Sequence, residues 1–233
     1  MQSYDTIIIG ASFYGCGLAL ALTGAKILEP AILPGAEFSL ALQPGSGWDR
    51  PVQSPEAQAL RAELLRRGAV NDAGQAQVAA FSPVLGECCQ KHNLDLEFSC
   101  AVIEQRDDLL RVVGVDGLRE IRAGRVINAL PDTTAPEKML TGILSLSEQL
   151  PDGSYGPFRL CNSCRAGEAY LSLSMPGAAS WPEARQRFHA AWDQRPASLR
   201  ESHLLLLGTS FSWPGDDNPV LAFDRGICEG RVK

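Results

Sequence analysis

Residues 6–22, TIIIGASFYGCGLALAL, decide the fold. The run up to Ile9 is β-branched and apolar, as a strand buried on both faces requires. Gly10 breaks it, and the small and apolar residues that follow predict a helix over 14–23 that ends at Gly24. AKILE, residues 25–29, is then a second short strand. Strand, tight turn, helix and strand within about 30 residues form the βαβ half-unit of a dinucleotide-binding sheet.

The turn departs from the G-x-G-x-x-G spacing at one place. Gly10 is the residue of the tight bend and Gly15 the one that lets helix and strand approach, but the middle position is Ser12. A ligand phosphate would meet the N-terminus of the helix, with its unpaired N–H groups and positive dipole. Glu29 closes the second strand about 20 residues after the first glycine, where an acid accepts hydrogen bonds from a ribose. The competing reading is a strand–turn–helix of this type that binds nothing.

Composition narrows the classes. The chain has 233 residues, 45% of them hydrophobic, and a formal net charge of −6. It is long enough for a sizeable core, and without a run of Lys or Arg it offers no footprint for nucleic acid. The uncharged stretch from Thr6 to Ala25 has the length of a signal peptide or a membrane span, but MQSYD ahead of it carries an acid and no base. Its glycines and front-loaded β-branched residues fit the βαβ reading, and the expectation is a soluble cytoplasmic protein with no membrane partner. Seven cysteines, an odd number, are expected to be reduced thiols.

Further along, residues 30–54 read as a loop rich in Pro, Gly and Ser. Ser54 and Pro55 open an amphipathic helix ending before Gly68, and Ser82 and Pro83 open another. LDLEFSCAVIEQ alternates as a strand, LLRVVGV and LREIRAG form a hairpin across Asp116-Gly117, and RVINAL is a buried strand. Residues 131–156 read as loop and short helix, 169–176 as a strand, SWPEARQRFHAAWDQ as a capped helix, and HLLLLGTSF as a buried strand.

From Gln2 to about Asp132, this order resembles FAD-dependent oxidoreductases of the glutathione-reductase-like, two-part flavin-binding class. The matching positions are the glycine turn, Glu29, the strand from Leu96 to Val102, the meander from Leu109 to Ile121, and VINALPD from Val126 to Asp132. The resemblance implies a Rossmann-like, doubly wound, mostly parallel α/β sheet with a β meander and a small inserted α+β substrate domain. It implies a dinucleotide-binding domain over 1–132, a substrate or cap region over 133–202 and a return to the first domain over 203–233. It also implies FAD as cofactor, with the ADP half on Gly10, Ser12, Phe13, Tyr14, Gly15 and Glu29, the adenine at the backbone of Val102, and Ala129 and Leu130 beside the cofactor. The departures are Pro131 in place of a glycine, a single glycine (Gly35) in the stretch after the acid, and Gly215-Asp216 ahead of an unconvincing helix where the family has its flavin clasp.

The remaining candidates have bland readings. Cys161-Asn-Ser-Cys164 has the spacing of a redox pair but no second pair and no nearby histidine, so two ordinary thiols are expected and no metal. His92, His189 and His203 are isolated, and Trp48, Trp181, Trp192 and Trp213 flank Pro and Gly as loop-packing residues do. No catalytic residue is named. The function expected is flavin-mediated hydride transfer on an unknown small molecule. The alternatives are a flavin fold without catalysis (an empty scaffold, or a subunit completed by a partner chain or a second copy) and an NAD-binding protein.

Overall fold

The computed structural model describes residues 2–131, 137–210 and 215–232. Asp132, the end of the expected return strand, and Trp213 lie outside the described residues. The first strand, β1 (Gln2–Ile9), runs into α1 (Phe13–Ala21) and back to β2 (Lys26–Glu29). β1 is central in a six-stranded sheet. It pairs in parallel with β2 on one side and with β6 (Gly117–Asn128) on the other. That position explains the unbroken isoleucines, since Ile7 and Ile8 are both fully buried, in apolar clusters of their own.

Beyond β2 lies β3 (Asp95–Phe98), also parallel. Beyond β6 the meander of β5 (Leu109–Gly114) and β4 (Ala101–Arg106) extends the same sheet antiparallel, giving the order β3-β2-β1-β6-β5-β4. This is the expected α/β class. The alternating run 94–105 proves to be two strands on opposite edges of the sheet. The chain turns between them at Ser99, with φ 53°, where the Ser99 and Cys100 N–H groups donate to the carbonyls of Ala31 and Glu29.

Four more helices belong to this half: α2 (Ala36–Ser39), α3 (Pro55–Arg66), α4 (Phe81–Lys91) and, from the far end of the chain, α6 (Pro219–Val232). Ser54 caps α3 as expected, accepting from Ala57 N–H. Ser82 does not cap α4. It sits inside the first turn, and its hydroxyl bonds the Pro34 carbonyl at 2.6 Å, because the loop after β2 lies against that turn.

The second layer is an antiparallel sheet of five strands in the order β11-β7-β10-β9-β8. They are β7 (Glu137–Ser145), β8 (Gly153–Tyr155), β9 (Phe158–Asn162), β10 (Glu168–Pro176) and β11 (His203–Leu207). α5 (Trp181–Asp193) packs on it through Phe188, whose ring centroid is 5.3 Å from that of Phe158. Ser180 and Glu183 form a capping box on α5.

Two expectations change here. Residues 137–145 are a strand rather than loop and helix, because β10 and β11 flank them on both edges and bury Leu140 and Leu144. β11 is not buried: it is an edge strand, with Leu205 and Leu206 61% and 54% exposed.

Candidate cofactor-binding site

The turn after β1 is built as the spacing requires. Gly10 has φ +108°, and a Cβ there would meet the Leu130 backbone nitrogen and Cδ2 at 3.0 Å. A Cβ on Gly15 would lie 2.2 Å from the Gly10 carbonyl oxygen, so the helix can begin this close to the strand only with glycine at that position. Gly17 serves the contact with α6. Its Cβ would lie 2.2 Å from the Phe223 carbonyl of α6, and one on Gly226 would lie 2.2 Å from the Tyr14 carbonyl. Glycines thus set α1 and α6 in backbone contact. α6 is a helix of 14 residues packed on α1, capped by Asn218 Oδ1 on the N–H groups of Val220 and Leu221, which corrects the unconvincing helix expected there.

Ser12 is the N-cap of α1. Its hydroxyl accepts from Gly15 N–H at 2.9 Å and donates to the Ala129 carbonyl at 2.7 Å. The side chain that replaces the middle glycine therefore points to the end of β6 and ties it to the turn. Ala129 N–H in turn donates to the Ile9 carbonyl, and Leu130 N–H to Asn128 Oδ1.

Glu29 lies at the end of β2 beside this turn and is 3% exposed. One carboxylate oxygen accepts from Ala11 N–H at 2.5 Å and the other from Ala31 N–H at 2.7 Å. Burial pushes its pKa up, against those two hydrogen bonds. The structure thus brings together Gly10, Ser12, Gly15, Glu29, Ala129 and Leu130. Val102 is reached from Glu29 through Cys100, and its own place is in β4, paired with Val112.

Phe13 and Tyr14 contribute differently from one another. The Phe13 ring is fully buried, edge-on to Phe38 and Phe81, and only its backbone faces the turn. Tyr14 faces α6. Its hydroxyl donates to Glu229 at 2.7 Å and Arg225 stacks 4.0 Å above its ring. Burial and the Glu229 carboxylate push its pKa up to about 12.

The residue that sequence reasoning missed is Glu37. It sits in the short α2, is 4% exposed, and its Oε1 accepts from Phe13 N–H at 2.7 Å. Burial pushes its pKa up to about 8, the Phe13 hydrogen bond opposes that rise, and the nearby acids Glu29 and Asp216 add to it. Gly35 makes the approach possible. It adopts φ +68°, its N–H donates to the Ala11 carbonyl, and a Cβ there would strike the Phe13 ring at 2.6 Å. A lone acid in the apolar run ILPGAEFSLAL was the available signal.

Toward the second layer the backbones close on each other. Thr209 and Ser210 N–H groups donate to the Leu40 carbonyl at 2.8 and 3.3 Å, and Gln43 Nε2 donates to Thr141 Oγ1 at 2.9 Å. A cleft of about 430 Å³ lies farther along, where Trp48, Arg61, Asn71 and Gln75 face Arg159 and Asn162 of β9. Among the described residues no group of His, Cys, Asp and Glu could hold a metal, and all seven cysteines are free thiols. Cys161 and Cys164 do not form a pair: Cys164 Sγ bonds the Gly68 carbonyl at 3.2 Å. Among the described residues no helix is long and apolar enough to cross a membrane.

The chain matches no protein-family model and no curated protein sequence. Its fold does match solved structures. It is similar to p-nitrophenol 4-monooxygenase PnpA from Pseudomonas putida, with 14% identity over 99% of this chain and 78% of that one, TM-score 0.57. It is similar to the myxobacterial chondrochloren halogenase CndH, a variant of FAD-dependent halogenases, with 12% identity over 100% of this chain and 72% of that one, TM-score 0.56. It is also similar to glycine oxidase from Geobacillus kaustophilus, with 12% identity over 97% of this chain and 93% of that one, TM-score 0.62. The chain spans about half the length of two further matches, 52% and 51%. A monooxygenase, an FAD-dependent halogenase and an oxidase thus share the fold of this chain.

Proposed function

We propose that the chain binds FAD at the turn between β1 and α1 and belongs, by activity, with the flavin oxidoreductases. The observation that carries this reading is Glu29: a buried carboxylate at the end of β2, hydrogen-bonded to the turn itself through Ala11 N–H. Each of its oxygens has a lone pair beyond the one used on backbone, so the group remains able to accept from ribose hydroxyls. The fit differs between the two ends of the ADP half. The adenosine end suits Glu29 and the neighbouring backbone of β4. At the pyrophosphate end, the Phe13 N–H donor is held by Glu37. FAD, when bound, supplies the hydride chemistry. The chain's own part is to orient the cofactor with Gly10, Gly15 and Glu29 and to hold the turn with Ser12.

The test is a visible spectrum of the purified protein, followed by calorimetry with FAD and with NAD. Flavin absorbance, or FAD binding in preference to NAD, is expected. A colourless protein that binds neither would favour a second reading, a flavin fold without catalysis. That reading is favoured by Glu37 on the Phe13 N–H and by the contact of Leu40 with Thr209.

A further inference from the structure

We propose that Glu37 is a built-in competitor for the dinucleotide's pyrophosphate: its carboxyl group holds the Phe13 N–H at the head of α1 and must leave before a phosphate can take that donor. The inference rests on the reading that FAD binds at this turn.

Helix N-termini attract anions because their first N–H groups lack partners within the helix. In this chain three of those in the turn and first helical turn have side-chain partners. Ala11 N–H is bonded to Glu29, Phe13 N–H to Glu37, and Gly15 N–H to the Ser12 hydroxyl. The partner of Phe13 is the exceptional one. A carboxyl group on a side chain that is 4% exposed has been brought from another helix onto an N–H that a phosphate oxygen would otherwise take. It is held there by local packing, with Gly35 against the Phe13 ring and Phe38 edge-on to the same ring.

The charges around it are adverse to a dianion. The groups acting on Glu37 from the elements packed against it are Glu29 of β2 and Asp216 ahead of α6, both acids, while on α1 the Cys16 thiol is pushed up by the Cys89 thiol and by burial, with Glu37 adding to the rise. Arg225, the nearby base, is engaged by Asp216 at 2.8 Å. Below about pH 8 Glu37 is protonated, and its obstruction is one of occupied space and an occupied donor. Above that it adds negative charge of its own. FAD affinity therefore falls as pH rises through about 8 in the parent chain.

The test is calorimetric titration of the full chain with FAD, and separately with inorganic pyrophosphate, at pH 6.5 and 9. The parent is compared with Glu37→Ala and with Glu37→Gln, which keeps the hydrogen bond to Phe13 but cannot ionise. Glu37→Ala is expected to bind FAD about tenfold or more tightly than the parent at pH 9, the worth of one charge-assisted hydrogen bond. The parent is expected to lose affinity between the two pH values, and Glu37→Gln to keep it. Equal FAD affinity in parent and Glu37→Ala at both pH values would overturn the inference and leave FAD binding standing. If no variant binds FAD but Glu37→Ala gains pyrophosphate, the competitor role stands and the FAD reading falls. Folded variants, by circular dichroism, that bind neither ligand overturn both.

Discussion

Ser12 stands where a dinucleotide turn has its middle glycine, and its hydroxyl has two protein partners, Gly15 N–H and the Ala129 carbonyl. The substitution therefore works as a helix cap and a tie between β6 and the turn. Ser12→Ala removes both bonds in a buried place and is expected to cost about 1 kcal/mol, and Ser12→Gly only a few tenths. Urea denaturation of the two variants checks the order, and an unchanged midpoint in Ser12→Ala would mean the hydroxyl is not the cap. Glu37 gives a prediction in pH. A carboxyl group that folding makes harder to ionise adds stability that is whole below its ordinary value of 4.5 and is lost as pH rises through about 8. The parent's denaturation midpoint is expected to fall between pH 5 and 8.5. Glu37→Gln should flatten that fall in part, since burial also raises the pKa of Glu29. An unaltered slope would mean that Glu37 is already ionised at the lower pH.

At the scale of elements, α1 and α6 depend on glycine at their contact. Gly17 and Gly226 each leave 2.2 Å between a would-be Cβ and a backbone carbonyl of the other helix, and backbone cannot yield as a flexible side chain can. Gly17→Ala is expected to destabilise the fold by about 1–3 kcal/mol through forced separation of the helices. Gly86 is the counter-case: it lies inside α4, and its nearest neighbour to a new Cβ is Pro34 Cγ at 3.9 Å. Gly86→Ala is expected to stabilise by about 0.4–1 kcal/mol, because only chain entropy changes. Thermal melts of the pair decide the matter, with shifts of opposite sign expected. The same contact explains why the helix was hard to see in the sequence: FDRGICEGRV carries two glycines where helix propensity would disfavour them, and their reason lies in α1.

The whole molecule is two sheets joined through a few buried groups. Tyr170 belongs to β10 of the second sheet, yet its ring is buried in the core of the first, where its hydroxyl accepts from Val78 N–H at 3.0 Å. Tyr170→Phe leaves that N–H without its partner and is expected to cost about 1–3 kcal/mol. If the sheets unfold as one unit, far-ultraviolet and near-ultraviolet circular dichroism of this variant will give coincident transitions at a lower denaturant concentration. Separate transitions in the parent itself would show that Tyr170 does not couple them.

The sequence by itself determined the βαβ unit, because its signals are local: a β-branched run, a glycine at the bend, a helix of small residues, and an acid at the end of the next strand. It also determined the meander and the capped helices α3 and α5, whose turn and cap residues act within a few positions. Tertiary structure decided what depends on distant neighbours. Residues 137–145 became a strand only because β10 and β11 flank them, and β11 became an exposed edge because no strand among the described residues pairs beyond it. Glu37 reached Phe13 across 24 residues through a positive-φ glycine and an aromatic contact, neither of which has a period or spacing to read. A turn's glycines can be counted along the chain, but the partner that takes its N–H groups is chosen by packing.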